Sequence, residues 1–137
     1  MPLFSDASNR KLDTCHPDLQ RLFRAVVQDD DCTILEGHRG RAKQNRMVRE
    51  GKSKVEWPDG KHNPMPSEAA DVAPYIKGFG PSMDPRQCSY FAAKVKAKAE
   101  ERGIPIRWGG DWDGDGDLTD QTFNDLLHYE LIITNRR

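Results

Sequence analysis

Four residues of this chain have the types needed to hold a metal ion and to move protons beside it. His62 and Asp71 lie in the segment GKHNPMPSEAADVAPY, and Asp125 and His128 lie far downstream in NDLLHYEL. Two histidines and one aspartate complete a three-ligand zinc site that leaves a coordination position for water. A further carboxylate beside that water can act as general base. The chemistry this combination points to is metal-assisted hydrolysis. Spacing alone leaves the bland alternative open. A histidine is more often a satisfied core or surface residue than a ligand, and an aspartate three residues before a strand is often a turn or capping residue.

These side chains must be carried by elements that converge. Ala70 to Ile76, ADVAPYI, reads as a strand with Asp71 at its start, and Pro74 favours an edge position there. His128 to Thr134, HYELIIT, reads as the last strand, with His128, Glu130 and Ile132 on one face. His62 falls in a long loop, Ser53 to Ser67, containing Pro58, Pro64 and Pro66. A loop of that length in a small domain is usually functional or disordered. Ligands on two strand starts and one loop meet if the two strands are neighbours.

The remaining elements are helices and short strands. His16 to Gln28, HPDLQRLFRAVVQ, has Leu19, Leu22, Phe23, Val26 and Val27 at helical spacing, with Pro17 suited to a first turn. Cys32 to Glu36 reads as a short buried strand, and Arg41 to Glu50 as a mostly polar helix ended by Gly51. Asp84-Pro85-Arg86-Gln87 carries a helix start, with an N-cap, a first-turn proline and a capping-box glutamine. That helix runs to about Arg102, burying Phe91, Val95 and Ala99, with Gly103 at its end. Ile104 to Trp108 is a further short strand. Helices and strands without a regular βαβ rhythm predict an α+β fold, a short antiparallel sheet packed with helices.

The bulk properties narrow the function. A chain of 137 residues suits a single domain spanning 1–137, with 36% hydrophobic residues for a modest core and 31% charged residues for a well-solvated surface. The formal net charge of −1 supplies no global field for nucleic acid. The basic stretch HRGRAKQNRMVREGKSK is a local exception that also fits a solvated helix face. No apolar run approaches the ~20 residues of a membrane span. The segment MPLFSDASNRKL lacks the apolar core of a signal peptide, which predicts synthesis in a cytoplasm and no membrane insertion. Cys15, Cys32 and Cys88 form no CxxC unit and read as reduced core residues.

Several motifs in order carry a family resemblance. GHRGRAKQ, GKSKVEWPDGKHNPMPSEAADVAPY, RWGGDWDGDGD and DLLHYEL resemble the zinc LAS-type (VanY-like) peptidoglycan peptidases, the group of DD-peptidases and L-alanyl-D-glutamate endopeptidases that includes many phage endolysins. The match runs from about Cys32 to Leu131. The resemblance implies a Hedgehog/DD-peptidase-like fold, zinc ligands His62, Asp71 and His128, and Asp125 as catalytic base. It implies that Arg39 orients the substrate, where a guanidinium can clamp a peptide carboxylate; as a residue type alone Arg39 fits a surface ion pair equally. One departure is Gly60, where many relatives carry serine two positions before the first ligand. Another is the longer interval between His62 and Asp71, filled by Pro64 and Pro66.

A second cluster, Asp111, Asp113, Asp115 and Asp117, begins like an EF-hand loop, with oxygen ligands at alternating positions. Thr122 stands where the bidentate acid of such a loop belongs, and no flanking helix pair is evident, so a plain Asp/Gly turn competes with a lone Ca2+ site. Some phage endopeptidases that the chain resembles carry a regulatory calcium site in the corresponding loop.

The expected function is therefore a Zn2+-dependent endolysin acting as a monomer on bacterial peptidoglycan, at the L-alanyl-D-glutamate bond. It would be made in the host cytoplasm and reach the wall with a phage holin. The alternatives are a D-alanyl-D-alanine carboxypeptidase, a non-catalytic zinc-containing wall-binding module, and a calcium-responsive protein in which the aspartate loop is primary.

Overall fold

The structure, a computed structural model, describes residues 3–112, 114 and 125–133. Helix α1 (Asp6–Leu12) opens the chain, and the sequence reading had no counterpart for it. Its N-cap is Ser5, whose hydroxyl accepts from the Ser8 N–H, but the helix spans only two turns, too short for a periodic pattern to stand out. Helix α2 (Pro17–Asp29) follows as expected, with Pro17 in its first turn and His16 as N-cap. Strand β1 (Cys32–Glu36) and helix α3 (Arg41–Arg49) also fall where the sequence places them. Strand β2 (Ala69–Ile76) and the two-residue β3 (Gly80–Pro81) lead into helix α4 (Pro85–Glu101). Strands β4 (Ile106–Trp108) and β5 (His128–Leu131) complete the described elements.

The sheet is antiparallel in the order β1-β2-β5-β4, with β3 on β2. Strand β2 is therefore interior, contrary to the edge position that Pro74 suggested. The resolution is local. The last pair of β2 with β5 is Asp71 with His128, so Pro74 lies past the end of β5, and its missing N–H removes no ladder bond there.

Strand alternation divides the sheet into an apolar and a polar face. Ile34, Ala70, Val72, Tyr129 and Leu131 join Leu19, Leu22, Phe23 and Val26 of α2 and Phe91, Val95 and Ala99 of α4 in one core. Tyr129 packs edge-on against Phe23 and Phe91, with centroids 5.5 and 6.3 Å away. Residues of opposite parity, Asp71, His128 and Glu130, point to the other face. A register shift between Ile34 and Glu36 brings Glu36 opposite Asp71, adding its carboxylate to the polar face. All three cysteines are free and buried, as expected. Burial pushes the Cys15 thiol up to about 12, and an inert packing role follows.

Candidate metal centre

Two of the proposed ligands are fixed by sheet register. Asp71 and His128 are direct cross-strand partners on β2 and β5, so their side chains leave the same face side by side. The Nδ1 atom of His128 lies 3.4 Å from Asp71 Oδ1. The third, His62, comes from the long loop, and its Nε2 lies 3.2 Å from the same carboxylate oxygen. The imidazoles of His62 and His128 meet edge to face, with centroids 5.1 Å apart. One atom from each of His62, Asp71 and His128 lies within 4.8 Å of the others.

The hydrogen bonds around the triad define which ring nitrogens face inward. His62 Nδ1 is 2.7 Å from the Gly37 carbonyl, which only accepts, so the ring proton sits on Nδ1 and Nε2 presents a lone pair. His128 Nε2 is 2.8 Å from Glu130 Oε1, so its proton sits on Nε2 and Nδ1 presents a lone pair. Two neutral imidazole nitrogens then point acceptor-first at one carboxylate oxygen. That arrangement calls for positive charge between them, as protons or as one shared metal ion, and the donor set fits a divalent cation.

The electrostatics agree. Burial would raise the Asp71 carboxyl, but the His62 and His128 imidazoles outweigh it and hold the group well below the usual carboxylate range. Burial opposes the charged form of His128, yet Asp71 and Glu130 carry its pKa up to about 9. Asp125 behaves differently. Burial and the neighbouring Asp71 charge raise its carboxyl above the ordinary value, the direction suited to a group that takes and returns a proton near neutrality.

Asp125 sits in the turn entering β5, with Oδ2 4.0 Å from His128 Nδ1, the inward-facing nitrogen. Its backbone N–H donates to the Gly109 carbonyl, and Gly109 N–H donates to the His128 carbonyl. A Cβ on Gly109 would lie 2.2 Å from the Asp125 carbonyl oxygen, so only glycine lets the end of β4 pass this close.

Arg39 is buried, at 5% exposure, and its planar head is already engaged. Its Nε and Nη2 donate to the two Glu36 oxygens at 3.1 Å each, and Nη1 donates to Gln44 Oε1 at 3.0 Å. Nη2 also reaches Asp71 Oδ2 at 3.5 Å. Its bidentate partner within the protein is thus Glu36, which the sequence reading did not identify. Gln44 and Asn63 were missed as well. Asn63 donates to the Arg39 carbonyl and to Gln44 Oε1, and accepts from Gly60 N–H. Gln44 Nε2 in turn donates to Ser53 Oγ and to the Val55 carbonyl. This network gives Gly60 its physical reason. A Cβ there would come within 2.6 Å of Asn63 Oδ1 and 3.1 Å of Gln44 Oε1.

The triad lines a cleft of about 590 Å³ that Arg39, Asp125 and Trp112 also border. The Trp112 ring lies over His128 with centroids 5.4 Å apart, another wall residue that the sequence pattern did not single out. Of the four aspartates expected to hold calcium, Asp113, Asp115 and Asp117 lie outside the described residues. Asp111 is buried, with Oδ2 3.6 Å from Lys96 Nζ on α4.

Comparison with known proteins agrees with this geometry. The family model of the phage L-alanyl-D-glutamate peptidases matches residues 2–132. The L-alanyl-D-glutamate peptidase of Escherichia phage T5 is 32% identical, over 94% of this chain and 97% of that protein. The crystal structure of the L-Ala D-Glu endopeptidase ChiX of Serratia marcescens superposes with a TM-score of 0.74 at 28% identity, covering 95% of this chain and 90% of that one. The chain thus belongs to the phage L-alanyl-D-glutamate peptidase family.

Proposed function

We propose that this chain is a zinc metallopeptidase, an endolysin that hydrolyses the L-alanyl-D-glutamate bond of peptidoglycan stem peptides in bacterial cell-wall lysis. The observation that carries the reading is the meeting of His62 Nε2, His128 Nδ1 and Asp71 Oδ1 at one point of the cleft, with the Asp125 carboxylate beside it. Ligand atoms about 2.1 Å from a shared tetrahedral zinc ion stand about 3.4 Å apart, close to the 3.2 and 3.4 Å separations of the two imidazole nitrogens from Asp71. Relatives named for the L-alanyl-D-glutamate bond favour that bond over a terminal D-alanine.

Zinc, when bound, would polarise the scissile carbonyl and lower the pKa of its water from ~16 towards ~7. Asp125 takes the proton from the attacking water as oxygen bonds to the carbonyl carbon. It then passes that proton to the amide nitrogen as the C–N bond breaks, leaving an alanyl carboxylate and a free glutamyl amine. Arg39 orients substrate more narrowly than a bidentate clamp would. Four of its five N–H groups are directed at Glu36, Gln44 and Asp71, so one Nη1 hydrogen remains for a substrate oxygen.

The decisive experiment pairs metal analysis with muropeptide mass spectrometry. Asp125→Ala retains zinc and loses about 10²–10⁴-fold in hydrolysis, whereas His128→Ala loses both. Cell-wall digestion by Asp125→Ala at the unaltered rate would overturn the assignment. New glutamyl amino termini support the endopeptidase, released D-alanine supports a carboxypeptidase, and wall binding with no cleavage supports a non-catalytic module. Within this reading residues 1–137 form one peptidase domain acting as a monomer, and a phage holin provides its route to the wall. No described helix is long and apolar enough to cross a membrane itself. Calcium at Asp111, Asp113, Asp115 and Asp117 is a further part of the proposal, and activity that stays constant across a calcium titration would remove it.

A further inference from the structure

We infer that Glu130 is a positioning residue for the metal centre: its carboxylate fixes the His128 ring in the orientation and tautomer that turn Nδ1 toward Asp71 and His62. The inference rests on the zinc reading above and assigns a role to a residue outside the ligand set. Glu130 stands two positions after His128 on β5, so strand alternation puts both side chains on the same face. Both are buried. Glu130 Oε1 accepts the His128 Nε2–H at 2.8 Å, while Nδ1 faces Asp71 at 3.4 Å. The carboxylate is therefore bonded to the opposite nitrogen of the ring from the one that faces the triad. It serves the histidine from behind.

The second oxygen of Glu130 is also held. Arg107 on β4 is its direct cross-strand partner, and Arg107 Nη1 lies 3.9 Å from Glu130 Oε2. Sheet register thus aligns Arg107, Glu130 and His128 across two neighbouring strands.

The contrast with His62 sharpens the role. That imidazole is anchored through Nδ1 by the neutral Gly37 carbonyl, leaving Nε2 inward. His128 is anchored through Nε2 by a carboxylate, leaving Nδ1 inward. The two rings therefore require opposite tautomers, and only the anchors determine which each adopts. A carboxylate anchor also makes the ligating nitrogen more basic than a carbonyl anchor does, which favours a bound cation.

The test measures zinc affinity by competition with a chromophoric chelator for the wild-type chain, Glu130→Gln and Glu130→Ala. Nitrogen-15 spectra of the histidine rings are recorded alongside. Glu130→Ala is expected to bind zinc about 10–100-fold more weakly. Glu130→Gln, whose amide oxygen still accepts from Nε2–H, loses less but measurably. The wild-type spectrum shows His128 protonated at Nε2, and that signature is lost in Glu130→Ala while the His62 signals stay unchanged. A general loss of fold would disturb both rings. Should Glu130→Ala fail to fold, the near-isosteric Glu130→Gln carries the test. Zinc affinity equal to wild type in every variant that folds, or a wild-type His128 whose neutral form carries its proton on Nδ1 in place of Nε2, would overturn the inference. A wild-type chain that takes up no zinc would instead overturn the peptidase reading.

Discussion

The two halves of the candidate metal centre are built by different means. Asp71 and His128 are opposite each other on paired strands, so backbone register places their side chains before any side-chain interaction forms. His62 is carried by a loop and has no register to rely on. Its position is set by polar anchors: the Gly37 carbonyl on its ring, the Arg39 N–H on its carbonyl at 2.7 Å, and the Asn63–Gln44–Arg39 network beside it. The strand half is backed by the apolar core through Val72 and Tyr129. The loop half is backed by buried polar groups that must all be satisfied together. Strand-borne ligands should therefore tolerate loss of nearby polar contacts, and the loop-borne ligand should not.

That contrast can be broken at specific residues. The largest effect is expected at Gly109, where alanine would push into the Asp125 backbone. A base displaced by about 1 Å costs on the order of 10²-fold in rate. Gly109→Ala should therefore lose activity, and because Gly109 N–H also bonds the His128 carbonyl, zinc binding through His128 should weaken with it while the His62 anchors stay intact. Steady-state kinetics with metal analysis check this, and a wild-type rate would show that the turn accommodates the added methyl without moving Asp125.

Asn63→Ala comes next, on the loop side. It leaves Gly60 N–H, the Arg39 carbonyl and Gln44 Oε1 each short of a partner. The expected cost is about 1–3 kcal/mol of stability, accompanied by weaker zinc binding through His62. Denaturant unfolding with chelator competition measures both. Tyr129→Phe is the matching change beneath the strands. The Tyr129 hydroxyl has no hydrogen-bond partner among the described residues, while its ring packs against Phe23 and Phe91. Removing the hydroxyl should leave stability unchanged or raise it by up to about 1 kcal/mol, with zinc binding unaltered. A clear fall in Tm would show that the hydroxyl has a partner.

The smallest expected effect is a pH dependence on the loop side. Burial would raise the Glu36 carboxyl, but Arg39 and Lys43 hold it below its usual value of 4.5. A depressed carboxyl contributes stability that is present above the unfolded-state value and lost as pH falls through the lower folded value. Glu36→Gln should therefore lower stability modestly at neutrality, with the gap to wild type closing as pH falls below about 4.5 and the acid limb flattened. Thermal melts across that range check the sign.

Much of this was legible in the residues themselves. The helices α2 and α4 announce themselves through apolar spacing and first-turn prolines, because a buried stripe and a fixed proline φ act locally. The set of His62, Asp71, Asp125 and His128 could be proposed from residue types, and it was the ordered family motifs around them, not their spacing, that suggested their roles. Helix α1 was not legible, being too short to show a period. The interior position of β2 was not legible either, since Pro74 reports only whether its own N–H is needed, and that depends on where β5 ends.

By itself, then, the amino-acid sequence determined which side chains are chemically able to bind a metal and move a proton, and which segments are helical or extended. Both follow from functional groups and from interactions within a few residues. Tertiary structure alone decided how those groups are held. The register of β2 on β5 sets Asp71 beside His128, the irregularity in β1 turns Glu36 toward Arg39, and Gly37 and Glu130 select opposite ring nitrogens of the two histidines. Each of these depends on contacts between strands or loops distant in sequence, where geometry rather than residue type makes the choice.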